Sequence, residues 1–182
     1  MPTQSTALRA TLITLALLLP GPVRAQDAGH KVPDRGLPGI RESIRAEHEE
    51  IHTRLEKAMK APGGTGRAAR ELARALHPHF VREEQIALPP LALLAPLARG
   101  EFSPAMRAIL PLTDSLRAEM PRMLHEHAAI RAATVRLGEA ARQERQAEAA
   151  ELADELARHA RSEEEILYPA AILIGEFIRA RP

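Results

Sequence analysis

Six side chains of this 182-residue sequence combine cation-binding chemistry with spacings that bring them together: His48, His79, Glu83, His127, His159 and Glu163. His79 and Glu83 are four residues apart, as are His159 and Glu163, so each pair shares one face of a helix. All six stand in stripes where apolar residues recur in steps of three and four, at positions meant for a core. An unpaired buried carboxylate costs several kcal/mol, on the order of 5. Two neighbouring carboxylates also repel and push one pKa up. Bound divalent cations remove both penalties. Imidazole nitrogen with carboxylate oxygen suits iron, manganese or zinc. If Glu83 and Glu163 both bridge, each of two ions receives two imidazoles and two oxygens. Positions then stay open for an oxygen bridge, water or a small ligand.

An internal repeat supplies the elements that must position these groups. The segment from His79 to Pro89 overlays the segment from His159 to Pro169 at an offset of 80, with His, Glu, Glu, Ile and Pro coinciding. Leu72 and Leu76 match Leu152 and Leu156, and Glu47-His48 with Ile51 matches Glu126-His127 with Ile130. Each half therefore carries two histidine-bearing helices.

Apolar spacing predicts these helices over 40–60, 67–88, 104–138 and 144–168. The stripes are Ile44, His48, Ile51, Leu55, Ala58; then Leu72, Leu76, His79, Glu83, Ile86; then Leu116, Met120, Met123, His127, Ile130, Leu137; and last Leu152, Leu156, His159, Glu163, Ile166. Pro62-Gly63-Gly64 should stop the first helix and Gly138 the third. Pro78 should kink the second helix, and Pro111 and Pro121 should bend or split the third. Residues 89–102 and 170–180 are apolar and predict short closing helices or packed loops. The fold expected is all-α: an up-down-up-down four-helix bundle with short closing helices.

The remaining polar residues carry blander readings. His52 follows His48 by four and fits a supporting or surface position. His77 and His125 turn away from the ligand face, and His30 lies in a loop. Glu84 and Glu164 read as solvated surface. Tyr168 faces away from the His159–Glu163 pair in its helix.

Composition narrows the rest. Cysteine is absent, which excludes disulfides, thiolate nucleophiles and Cys-bound metals. Aromatic residues are 2% and the net charge is +1, so neither stacking platforms nor a basic field point to nucleic acid. Arg9, the apolar run 10–19 and Val23-Arg24-Ala25 form a signal-peptide pattern over 1–25, too short to span a bilayer. Residues 26–39 read as a flexible lead-in, and 40–182 as the bundle. The mature chain is expected outside the cytoplasm, in the periplasm, with no membrane attachment after cleavage.

The motifs Glu47-His48-x-x-Ile51, His79-x-x-x-Glu83-Glu84, Glu126-His127-x-x-Ile130 and His159-x-x-x-Glu163-Glu164 with Tyr168-Pro169 resemble the hemerythrin-like family, the HHE cation-binding domain. The resemblance covers roughly residues 40–170. It implies two iron ions held by the six residues named above, although the donor set also accepts manganese or zinc. It further implies a small gaseous or peroxide ligand. The expectation is a di-iron protein that binds dioxygen or nitric oxide. The alternatives are a di-iron oxidoreductase acting on peroxide, nitric oxide or ferrous iron, and a helical protein merely stapled by metal.

Overall fold

The computed structural model describes residues 39–182. The expected leader and nearly all of the lead-in lie outside the described residues. Among the described residues every regular element is helical.

The first helix, α1 (Ile40–Met59), buries Ile44, His48, Ile51, Leu55 and Ala58, the stripe read from the sequence. The second, α2 (Gly63–Ile86), starts four residues before the expected position. Its opening Gly-Gly-Thr-Gly is a poor helix former, and the first N–H groups of any helix lack internal partners. A distant carboxylate supplies them. Glu144 accepts hydrogen bonds from Gly64 N (2.6 Å), Thr65 N (2.9 Å) and the Thr65 hydroxyl (2.7 Å). These bonds hold the Glu144 carboxyl below its usual range. The helix then runs through Pro78 without a break.

Two short turns, α3 (Leu88–Leu91) and α4 (Leu94–Ala98), follow as closing elements. A 3₁₀ turn at Pro104–Ile109 leads into α5 (Leu110–Gln143). Pro111 sits in the first turn of α5, where a missing N–H costs nothing, and Pro121 lies inside it.

Gly138 does not end this helix, contrary to the sequence reading. It is buried within α5, and a Cβ there would lie 3.3 Å from Ala153 Cβ. The glycine serves close approach of the next helix rather than termination. The real stop is at Arg145, which takes the left-handed conformation (φ 56°). Gln146 N then bonds Ala141 O (2.8 Å) and Arg145 N bonds Arg142 O (3.3 Å). This is the paired closure usual after a helix, with arginine in the place glycine prefers.

The last helical stretch also differs from expectation. α6 (Ala147–Ser162) passes into a π-turn at Glu163–Leu167 and continues as α7 (Tyr168–Arg179). Pro169 falls in the first turn of α7 and so does not stop the chain. Residues 170–179 thus take the helical one of the two forms expected and pack on α5. Gly175 allows this packing, since a Cβ there would fall 2.3 Å from Thr113 Oγ1.

α1 packs on α2 and α6, and α5 packs on the same two helices, so the four form a closed ring. The ring encloses two apolar clusters. One contains Ile51, Leu72, Leu76, Phe80, Ile130 and Leu156. The other contains Ile44, Leu88, Leu116, Met123, Tyr168 and Ile174. Along every one of the four helices the chain crosses from one cluster to the other at a polar residue: His48, Glu83, His127 and Glu163. The polar groups therefore form a layer between two oily compartments. No helix among the described residues is long and apolar enough to cross a membrane.

Candidate metal centre

The layer brings together all six residues singled out by spacing. His48, His79, His127, His159, Glu83 and Glu163 are at most 7% exposed. The imidazoles point Nε2 inward. The carboxylates divide them into two pairs. Glu83 Oε1 lies 3.5 Å from His79 Nε2, and its Oε2 lies 3.8 Å from His48 Nε2. Glu163 Oε1 lies 2.8 Å from His159 Nε2 and 3.5 Å from His48 Nε2, while its Oε2 lies 3.4 Å from His127 Nε2. Each carboxylate thus offers one oxygen to the His48/His159 side and one to the His79/His127 side. Two groups are compact enough to hold an ion: His79, Glu83, His127, Glu163, and His48, His159, Glu163.

The Nδ1 atoms face outward, each to a carboxylate on a neighbouring helix. His159 Nδ1 lies 3.2 Å from Glu47 and His48 Nδ1 lies 3.8 Å from Glu84. His79 Nδ1 bonds Glu126 at 3.0 Å and His127 Nδ1 bonds Glu164 at 2.8 Å. One such pair closes each seam of the ring: α1/α6, α1/α2, α2/α5 and α5/α6. The pairs also obey the repeat, since Glu47 corresponds to Glu126 and Glu84 to Glu164. Glu126 is fixed in turn by Arg122, and Glu164 by Arg131.

This arrangement sets the tautomers. An ionised carboxylate only accepts, so Nδ1 of His79 and of His127 must donate. Their Nε2 lone pairs then face each other at 2.7 Å, an arrangement that needs a cation between or beside them. Inward-facing His48 Nε2, His159 Nε2, Glu83 Oε2 and Glu163 Oε1 are buried without hydrogen-bond partners. Native interiors rarely leave such atoms orphaned, and a metal ion satisfies all of them at once.

In the metal-free state protons take over part of that task. Burial, then the charge of Glu163, raises the Glu83 carboxyl above its usual range. Burial acts the same way on Glu163, but the imidazoles of His127, His159 and His48 packed around it outweigh it and hold the group well below. Burial works against charged His159, yet the adjacent Glu163 carboxylate lifts its pKa to about 9. His79 is raised in the same way, against burial, by Glu83 and Glu126. Glu163 is therefore the permanent charge of the layer.

A sequence profile of the hemerythrin HHE cation-binding domain matches residues 39–171. The chain belongs to this family. No curated protein matches it, and neither does any solved structure. An HHE domain binds metal cations, typically iron, and the buried His/Glu layer is a place fit to hold them.

Two readings of the HHE sequence need correction. Glu164 is not simply a solvated surface group, because it reaches across to His127 Nδ1 and is a quarter exposed. The signal was available in the sequence: a Glu-Glu doublet recurs in both halves. Glu84 is half-buried and faces His48 Nδ1. Tyr168 does not face away. It is 1% exposed, donates its hydroxyl to Glu83 Oε1, and lies 3.1 Å from His127 Nε2. The cause is the π-turn. Tyr168 N–H bonds Glu163 O, five residues back, and the wider turn swings residue 168 towards the face of residue 163. His52 stays out of the cluster. It meets His77 and Phe80 edge-on, and its pKa is lowered by burial first, then by His77 and His48.

The outer carboxylates should tune metal affinity without holding the ion. Glu126→Ala frees the His79 ring, and such changes cost roughly 10–100-fold in affinity. Competition against a chelator of known strength measures this. An affinity equal to wild type would mean that Glu126 does not orient His79.

Proposed function

We propose that this HHE protein is a non-heme di-iron protein that binds dioxygen or nitric oxide outside the cytoplasm, with His48, His79, Glu83, His127, His159 and Glu163 as the iron ligands. The observation that carries the reading is the division of four inward imidazoles into two pairs, with Glu83 and Glu163 each directing one oxygen to either pair. That division supports two ions rather than one. The burial of all six ligands supports a ligand of diatomic size. The layer crossings support an up-down-up-down order: the helices traverse the two apolar clusters in alternating directions, and three-residue turns join α1 to α2 and α5 to α6. Location outside the cytoplasm rests on the signal-peptide pattern of residues 1–25 alone.

Anaerobic loading with ferrous iron, followed by metal analysis and Mössbauer spectroscopy, tests the metal pair. The expected content is two irons per chain. Admission of dioxygen or nitric oxide should then change the visible spectrum in proportion to bound iron. A content saturating at one iron, or a spectrum indifferent to both gases, would remove the proposal.

A further inference from the structure

We propose, building on the di-iron reading, that Tyr168 is a seventh ligand, its phenolic oxygen binding the ion held by His79 and His127. The hydroxyl oxygen lies 3.1 Å from His127 Nε2 and 3.4 Å from His79 Nε2, and donates to Glu83 Oε1. The other donors on that side show the same spacing: 2.7 Å between the two Nε2 atoms, and 3.4–3.5 Å from them to the Glu163 and Glu83 oxygens. Ligand atoms bonded to one metal at ~2.1 Å stand about 3 Å from each other. The phenolic oxygen is therefore placed as a member of the donor set, not as a distant support.

Hydrogen bonding alone does not account for the placement. The phenol has one proton, and Glu83 receives it. The two imidazoles donate through Nδ1 to Glu126 and Glu164, so both Nε2 atoms bring lone pairs. Three electron-rich atoms then crowd one small volume, and a cation satisfies them together. Coordination replaces the phenol proton by the metal, and that proton leaves the site as the cation enters.

The phenol also breaks the repeat. The residue 80 positions earlier is Leu88, and where the second half makes its π-turn α2 instead ends at Ile86, with Ala87 N bonded four residues back to Glu83 O. On the other side, His48 instead stacks on Phe80, with ring centres 3.8 Å apart and planes 4° from parallel. One ion would carry a phenolate and the other would not.

The sequence contains a single tyrosine, so any tyrosinate signal belongs to Tyr168. The test is resonance Raman and visible spectroscopy of the ferric-loaded full chain, grown with ordinary or ring-deuterated tyrosine. A visible charge-transfer band is expected, with ring vibrations that shift on deuteration. Tyr168→Phe, which keeps the ring in the core, should retain the iron, lose the band and release one proton fewer on metal uptake. Iron-loaded wild type without the deuteration-sensitive vibrations overturns this assignment alone. Failure of wild type to take up iron overturns it together with the di-iron reading.

Discussion

Metal-free protein is expected to lose stability as pH rises from 6.5 to 9, while metal-loaded protein gains it over the same range. The sign follows from His159, whose folded-state pKa is lifted from 6.5 to about 9 by Glu163. A group raised in the folded state stabilises fully below its unfolded pKa, and the contribution disappears as pH climbs through the folded value. At ~1.4 kcal/mol per pKa unit, the loss is about 3 kcal/mol. The upward shift of His79 acts in the same direction. With metal bound the logic inverts, because each imidazole must be neutral to ligate and protons compete with the ion. Chelation at pH 9 should therefore have the largest effect of any condition. A structural metal contributes on the order of 10 kcal/mol. A domain of this size shifts its melting temperature by roughly 2–4 °C per kcal/mol, so a fall of more than 20 °C is expected. Thermal melts of chelated and loaded protein between pH 6 and pH 9 decide the matter. Parallel profiles would mean that the His/Glu layer does not exchange protons for metal.

How far the layer was readable in the sequence depends on what fixed each residue. His48, His79, Glu83, His127, His159 and Glu163 were legible because regular α-helical spacing alone places them in the seam, and the repeat shows the pattern twice. What escaped depended on departures from that spacing or on distant chain. Tyr168 enters the layer only through the π-turn at Glu163–Leu167, and no periodicity assumes such a turn. The start of α2 at Gly63 depends on Glu144, 80 residues away, capping Gly64 and Thr65. Gly138 looked like a terminator because composition cannot separate a stop from a close crossing, and Ala153 decides that it is a crossing. The outward carboxylates fall between these cases. Glu47 and Glu126 precede histidines of their own helix but serve histidines of a neighbouring one, α6 and α2 respectively. Adjacency in sequence hid partnership in space.

On the two-ion reading, Glu163→Gln should abolish binding of both ions, whereas Glu83→Gln should leave one. The repeat makes these two residues formal equivalents, yet the structure separates them. Glu163 belongs to both compact ligand groups and Glu83 to one only. Without Glu83, the His48, His159, Glu163 group is intact. Without Glu163 both groups are incomplete, because the His48, His159 group keeps no carboxylate and the His79, His127 group loses one of its two, and the charge that lifts His159 is gone. The proton-sharing state also discriminates between them. Glu163 is held ionised by three imidazoles, while Glu83 is pushed towards its protonated form. An amide at 83 thus keeps the uncharged state towards which burial and Glu163 push this carboxyl. An amide at 163 removes the layer's anion and leaves protonated imidazoles buried without a counter-charge, which costs about 3–5 kcal/mol. Metal content by atomic spectroscopy and melting of the metal-free proteins should therefore move together: E163Q with background metal and a lowered melting temperature, E83Q with half the wild-type metal and a near-native one. Equal metal loss in both variants would show that the two carboxylates are equivalent and that the asymmetry of the layer has no bearing on the ions it holds.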